Sequence, residues 1–190
     1  TPKYHATSQS FDFTVTKLAN NVGIALSTTE IDVDGTATVS LTNNDSNGAL
    51  SASVTNISYT NESQNRAGGL VSFADGTLTG VNAGTATVTI TQAETYMYVA
   101  KSQQFSVTVS KLPQTLTWDS PDLTTTMQGN TSLEGNTATS SVGLTPVAYS
   151  SGNTTAITVD AETGVLTAVA TGSNIAITAS QAGNYKYLPA

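Results

Sequence analysis

Residues able to do chemistry are few in this chain, and their spacing limits what they can do. Glu30, Asp32 and Asp34 alternate and are followed by Gly35, so three carboxylates could offer oxygen to a hard cation beside a sharp turn. The run lacks the spacing of a twelve-residue calcium loop, because no Glu stands where that loop places its last ligand. It is read as a polar strand edge and turn. Asp160 and Glu162 precede Gly164, where the first half of the chain has only Asp75 before Gly76, and they too are read as turn residues. A carboxylate pair for glycosidase-type acid–base work must converge in space, and nothing in the sequence brings two together. His5 is the only histidine and there is no cysteine, which excludes a zinc site or a Cys/His nucleophile. No catalytic residue, metal or cofactor is assigned.

Aromatic residues are the remaining candidates. Tyr96 and Tyr98 recur as Tyr185 and Tyr187, with Tyr4 in a further copy of the pattern, and alternate tyrosines could line a face that stacks on sugar. A residue that returns in every unit more often packs a core or a junction, with its hydroxyl tied to backbone. Tyr96, Tyr98, Tyr185 and Tyr187 therefore stand as candidate binding residues against a structural alternative. Trp118 follows Leu116 on a strand whose alternation turns it toward the core, a carbohydrate-facing Trp being the alternative. The Asn-x-Ser/Thr sites at Asn44, Asn56, Asn61, Asn130 and Asn153 are what a chain this rich in Ser, Thr and Asn contains by chance.

The elements that must position these residues are strands. Charged residues make up 10% of the 190 residues, with Thr, Ser, Asn, Gly, Ala and Val in their place, against about 25% charged in ordinary soluble proteins. Thr and Val fit a pleated surface, and the straight-chain helix formers are scarce. An all-β chain with little or no helix is expected. A net charge of −7 with six Lys plus Arg leaves no basic face for a nucleic acid. No apolar run is long enough to span a membrane and no signal-peptide pattern opens the chain, so no membrane insertion is expected of this stretch.

Self-similarity organises the whole chain. YHATSQSFDFTVTKL from Tyr4 matches YVAKSQQFSVTVSKL from Tyr98, an offset of 94, and Gln92, Ala93, Tyr96 and Tyr98 fall on Gln181, Ala182, Tyr185 and Tyr187, an offset of 89. The unit is thus about 90 residues. Ala86, Val88 and Ile90 alternate with Thr85, Thr87, Thr89 and Thr91, the period of a strand with one buried face. Ile175, Ile177 and Ala179 are expected to be buried likewise, as are Phe105, Val107 and Val109, Ala37, Val39 and Leu41, and Phe11, Phe13 and Val15. Between residues 51 and 59 the apolar phase slips from even to odd positions, which predicts a bulge near Asn56. Turn signals at 43–48, 75–76, 83–84, 129–130 and 151–153 divide each unit into about seven short strands, the spacing of a sandwich.

The stretches GTLTGVNAGTATVTI from Gly76 and GVLTAVATGSNIAITA from Gly164, each a short strand, a Gly turn and an alternating Thr/Val strand, resemble bacterial immunoglobulin-like domains of group 2, the kind stacked in intimin- and invasin-type adhesins. The Tyr-rich QAETYMYVAKSQQFSVTV looks like a variant found in surface proteins of gut Bacteroidetes. The resemblance implies tandem immunoglobulin-like sandwiches, exposed on a bacterial surface or secreted, acting as a stalk or spacer and in adhesion, without catalysis. The alternative is a carbohydrate-binding module of a glycan-utilisation system, which would call on the Tyr-x-Tyr pairs and the loop at 59–70.

In that family a Phe/Val strand ending like VTVSK closes a domain. The phase it implies makes 1–17 the closing strand of a preceding repeat, 18–111 a complete domain, and 112–190 a domain lacking its closing strand. The repeat alone also permits units of 4–97 and 98–186. On the family phase, neighbouring repeats of the same array are the first partners, with a host protein or glycan beyond them. The strand at Ile175 to Ala179 should then present an open edge, and the segment that opens at Tyr4 and runs to Thr16 carries the sequence to cover it in another copy. Lys17 and Lys111 share one repeat position. Lysines of some Gram-positive pilins form isopeptide bonds with Asn, but the overall resemblance points elsewhere.

Overall fold

The computed structural model describes residues 3, 8–61, 66–118, 130–131 and 137–190, and every regular element among them is a β-strand. His5, Tyr4 and the turn residue Gly129 lie outside the described residues.

Eight strands build the first sandwich: β1 (Gly23–Leu26), β2 (Glu30–Asp32), β3 (Thr36–Thr42), β4 (Leu50–Tyr59), β5 (Val71–Ala74), β6 (Thr77–Gly80), β7 (Gly84–Gln92) and β8 (Lys101–Ser110). One sheet runs β1-β3-β6-β5 and the other β2-β8-β7-β4. With β1, β3, β6 and β5 as strands A, B, E and D, and β4, β7 and β8 as C, F and G, this is the strand order of an immunoglobulin sandwich. The short β2 runs parallel to β8, pairing Ile31 with Val109.

Alternation decides which side chains face inward. Ala86, Val88 and Ile90 on β7 and Val107 and Val109 on β8 are buried with Ile31 on β2 of the same sheet, and Ala37 and Leu78 meet them from the facing sheet, with Val33 and Leu70 from the connections. The phase slip in β4 is a bulge: register jumps between Thr55 and Ser58 where they face β7, and Asn56 takes a left-handed φ of 52°. Asn tolerates that conformation because its short amide can satisfy neighbouring polar groups. Asp75 and Gly76, both at positive φ, make the β5–β6 hairpin turn.

The second set of strands is β9 (Leu116–Trp118), β10 (Asn130–Thr131), β11 (Ala138–Ser140), β12 (Ala148–Ser151), β13 (Ile157–Val159), β14 (Leu166–Ala168) and β15 (Ile177–Ser180). The pairings β10-β14-β13, β11-β9 and β12-β15 reproduce the B–E–D, A–B and C–F contacts of the first sandwich. Asn130 therefore begins a strand instead of sitting in a turn. Trp118 faces the core as its alternation requires, its ring centroid 5.9 Å from that of Tyr149, with Leu166 and Ala138 beside them.

Two expectations are corrected here. Ile175, Ile177 and Ala179 are half-buried, and Ile175 precedes the strand. The reason is visible in the first sandwich, where β7 is flanked by both β4 and β8, whereas β15 pairs only with β12 among the described residues. Residues 8–17 form no strand and pair with no sheet among the described residues, and Phe11, Phe13 and Val15 are 88%, 81% and 81% exposed.

Candidate functional site: the junction between the sandwiches

The chain passes from β8 into β9 through Lys111, Leu112 and Pro113. Leu112 forms a parallel bridge with Tyr187: its N–H donates to the Lys186 carbonyl at 2.8 Å, and its own carbonyl accepts from the Leu188 N–H at 2.9 Å. Lys111 Nζ donates to the Asn184 carbonyl at 2.7 Å, and partial burial pushes its pKa down. The linker is thereby stitched to the loop that carries Tyr185 and Tyr187.

The same stitch recurs one unit earlier. Leu18 bridges to Tyr98, donating to the Met97 carbonyl at 2.7 Å and accepting from Val99 at 3.1 Å, while Lys17 Nζ lies 2.9 Å from Glu94 Oε2. Recurrence of the Lys-Leu and Tyr-x-Tyr sequences therefore reflects a recurring backbone joint. Neither lysine is bonded to an Asn side chain in these contacts.

Across the junction a charged cluster joins the two sandwiches. Asp34 sits at φ 66° in the turn after β2, its N–H donating to the Gly80 carbonyl at 2.9 Å. Its Oδ2 lies 3.0 Å from Lys186 Nζ, and its Oδ1 accepts from the Arg66 guanidinium. Arg66 also donates through Nε to the Val81 carbonyl at 3.1 Å, and its guanidinium carbon stands 4.7 Å from the centroid of the Tyr185 ring. Planar guanidinium suits this site, since it can stack on a ring while its edge meets a carboxylate. Asn82, 1% exposed, holds Arg66 in place: its Oδ1 accepts from the Arg66 N–H at 2.8 Å, and its Nδ2 donates to the carbonyls of Arg66 and Gly69. Tyr185 itself packs against the core of the first sandwich.

Electrostatics follow from these contacts. The Asp34 carboxyl is held below its ordinary value first by the Lys186 hydrogen bond and then by that of Arg66. Its presence raises the pKa of both Arg66 and Lys186. The cluster is about a third exposed, so each pair stabilises weakly and their combination matters more than any one.

Of the carboxylates singled out by spacing, Asp34 is committed to two cations, and Glu30 and Asp32 point to solvent on β2. Asp160 closes its turn, with Oδ1 accepting from the N–H groups of Glu162 and Thr163 and from the Thr163 hydroxyl. No group of three or more acidic or His residues among the described residues could hold a metal. A depression of about 360 Å³ between β4 and β5 is lined by Leu50, Ser51, Ala52, Val54, Val71, Ser72 and Phe73, none of them titratable. The four tyrosines divide between two loops: Tyr96 is 89% exposed and Tyr98 half-buried on the first, Tyr185 and Tyr187 half-buried at the junction.

Sequence reasoning missed two sets of residues. Arg66 and Asn82 lie in loops without periodicity, though Arg66 is the only arginine among the six cations. The second set is a buried polar lock present in each sandwich. Gln92 Oε1 accepts from Asn20 Nδ2 at 3.0 Å and Ser46 Oγ at 2.7 Å, and Gln92 Nε2 donates to Asn44 Oδ1 at 2.6 Å. In the second sandwich Gln114 Nε2 donates to Gln181 Oε1 at 2.7 Å, and Ser140 Oγ donates to Gln114 Oε1 at 2.8 Å. Asn20, Ser46 and Gln92 map onto Gln114, Ser140 and Gln181 at offsets of 94, 94 and 89, a recurrence that was available to find them.

No family model and no curated protein matches the chain. Among solved structures it is similar to the protocadherin gammaB7 EC3-6 cis-dimer structure, at 13% identity and a TM-score of 0.28, over 84% of this chain and 44% of that one. The chain thus spans less than half the length of that protein.

Proposed function

We propose that this chain is a non-catalytic stretch of a tandem immunoglobulin-like array, with 18–111 as one repeat and 112–190 as the next, on the outside of a bacterial cell. The array acts as a stalk that holds a distal part of the same protein away from the surface and contributes to adhesion. Copies or neighbouring repeats are its first partners. The observation that carries this reading is the junction, where a linker without Gly or Ser is bonded to the next sandwich and a two-cation clasp on Asp34 crosses the boundary. A spacer needs a fixed angle between units, and such contacts restrict bending more than a flexible linker can.

Small-angle scattering tests it. The full chain should scatter as an extended pair of fixed orientation, and Arg66→Ala combined with Tyr185→Ala should broaden the distance distribution while both sandwiches stay folded. Unchanged scattering from that variant would count against a mechanical role for the joint. A second reading, glycan binding through Tyr96 and Tyr98 or Tyr185 and Tyr187, draws on the exposure of Tyr96. Glycan retention that is lost in Tyr96→Ala at unchanged melting temperature would support it.

A further inference from the structure

At the end of the first sandwich away from the junction, the polar lock occupies only part of the polar side chains around it. Asn20, Asn44 and Ser46 are committed to Gln92. The residues interleaved with them, Asn21, Asn43 and Asp45, are exposed and line a depression of about 350 Å³ together with Leu18, Ala19 and Tyr98. The side chains of Asn21, Asn43 and Asp45 and the Tyr98 hydroxyl make no hydrogen bond or ion pair among the described residues. Their backbone is nevertheless fixed: Leu18 bridges to Tyr98, and Asn43 sits at φ 53° with its carbonyl accepting from the Asp45 N–H at 3.0 Å. The second sandwich has no counterpart to these groups. Thr115 stands in the place of Asn21, and residues 137–143, which match the turn after β3, read TATSSVG without an amide or a carboxylate. What the fold needs recurs in both units, as the Gln92 and Gln181 locks do, so folding does not account for Asn21, Asn43 and Asp45. Thr115, Ser141 and Val142 are exposed although the first sandwich stands ahead of them. A sandwich stacked ahead of Leu18 through the same joint would therefore leave the depression open.

We infer that this depression binds a neutral sugar through a pair of adjacent hydroxyls. The inference rests on the second reading above, glycan binding, and gives it a pocket centred on Tyr98 and Asp45. The chemistry is complementary to a polyol. The Asp45 carboxylate accepts from hydroxyls, and the Asn21 and Asn43 amides each accept through oxygen and donate through nitrogen, so both partners of a hydroxyl are supplied. Leu18 and the half-buried Tyr98 ring add apolar surface for the C–H face of a sugar ring. Other occupants fit less well. A carboxylate without a lining cation repels an anion, and one carboxylate gives a divalent cation little charge, in keeping with the absence of an acidic group of three among the described residues. The volume lies near the lower end of the roughly 300–1,000 Å³ of ligand pockets, which suits a terminal sugar and not a polypeptide. Because the lock and the Leu18 bridge already hold the three lining segments, they lose little freedom on binding. An open site of this kind should hold a single sugar with a Kd on the order of 1 mM.

Amide NMR shifts of the full chain test the inference, in separate titrations with the methyl glycosides of mannose, galactose, glucose and fucose, with N-acetylneuraminic acid and with calcium chloride. At least one neutral glycoside should move the amides of residues 18–21, 43–45 and 98 and saturate. Asp45→Ala and Asn21→Ala should each weaken that binding about tenfold. Both should melt as the wild type does, since neither side chain pairs with another part of the fold. If none of the four glycosides moves these amides at about 100 mM, a hundredfold the expected Kd, the inference is overturned. It is equally overturned if N-acetylneuraminic acid binds there more tightly than the neutral sugars, or if calcium alone moves the same amides and saturates. A sugar response that survives both substitutions and is lost in Tyr96→Ala overturns the pocket while glycan binding itself stands. The stalk reading is decided separately, by the scattering of the joint variant.

Discussion

Gln92→Leu should unfold the first sandwich at a much lower temperature while leaving the second nearly unchanged. Gln92 is fully buried at the end of β7, with its backbone in the ladder to Leu50 and Lys101 and its amide making three side-chain hydrogen bonds. Leu matches its volume and adds apolar surface, so the loss is polar. Asn44 is exposed and can turn to water, and Asn20 keeps a 3.2 Å bond to Ser46 Oγ together with the Val22 N–H it accepts. The Ser46 hydroxyl, buried, loses its acceptor. One orphaned buried donor costs about 1–3 kcal/mol and each lost neutral bond about 1 kcal/mol net, which, less the gain from the added apolar surface, amounts to about 2–3 kcal/mol. For a domain of this size that lowers the melting midpoint by roughly 10–20 °C. Calorimetry resolves the two sandwiches, and Trp118, the single Trp, lies in the second core and assigns the second transition. Gln181→Leu should produce the mirror result, moving the Trp118 signal. A first-sandwich midpoint within about 2 °C of wild type in Gln92→Leu would refute the claim that the polar lock holds β1, the loop before β4 and β7 together.

Acid should loosen the junction: the folded Asp34 pKa lies below 3.8, so its contribution is whole above that value and is lost as pH falls from there through the folded value, visible as a broader scattering distance distribution at unchanged strand content. At the alkaline end the Lys186 pKa is raised above 10.5, so its part persists to that pH and disappears as pH rises through the folded value. Gly84→Ala should lower the first-sandwich melting midpoint by more than an exposed-loop substitution does, since Gly84 has φ 152° and a Cβ there would run into the Ser58 carbonyl and the Tyr59 backbone. Tyr96→Ala should leave melting unchanged and Tyr185→Ala should weaken the coupling between the two transitions, because only Tyr185 packs on the neighbouring sandwich.

Much of the fold was legible in the sequence because a strand in a sandwich writes its burial into every second residue. Ala86, Val88 and Ile90 are buried for the reason their alternation states, and the slip at Asn56 is the bulge that a change of phase requires. Repetition of Tyr-x-Tyr likewise favoured a core or junction position, and Tyr98 and Tyr187 do form backbone bridges to Leu18 and Leu112, whereas Tyr96 is exposed. What periodicity cannot carry is proximity between distant segments. Asp34 looked like part of an acidic run until the fold set it beside Arg66 and Lys186, residues 32 and 152 positions away along the chain. Ile177 and Phe11 show the same limit from the other side: each has the pattern of a buried residue, yet burial needs a neighbouring strand, and only the tertiary arrangement decides whether one is there.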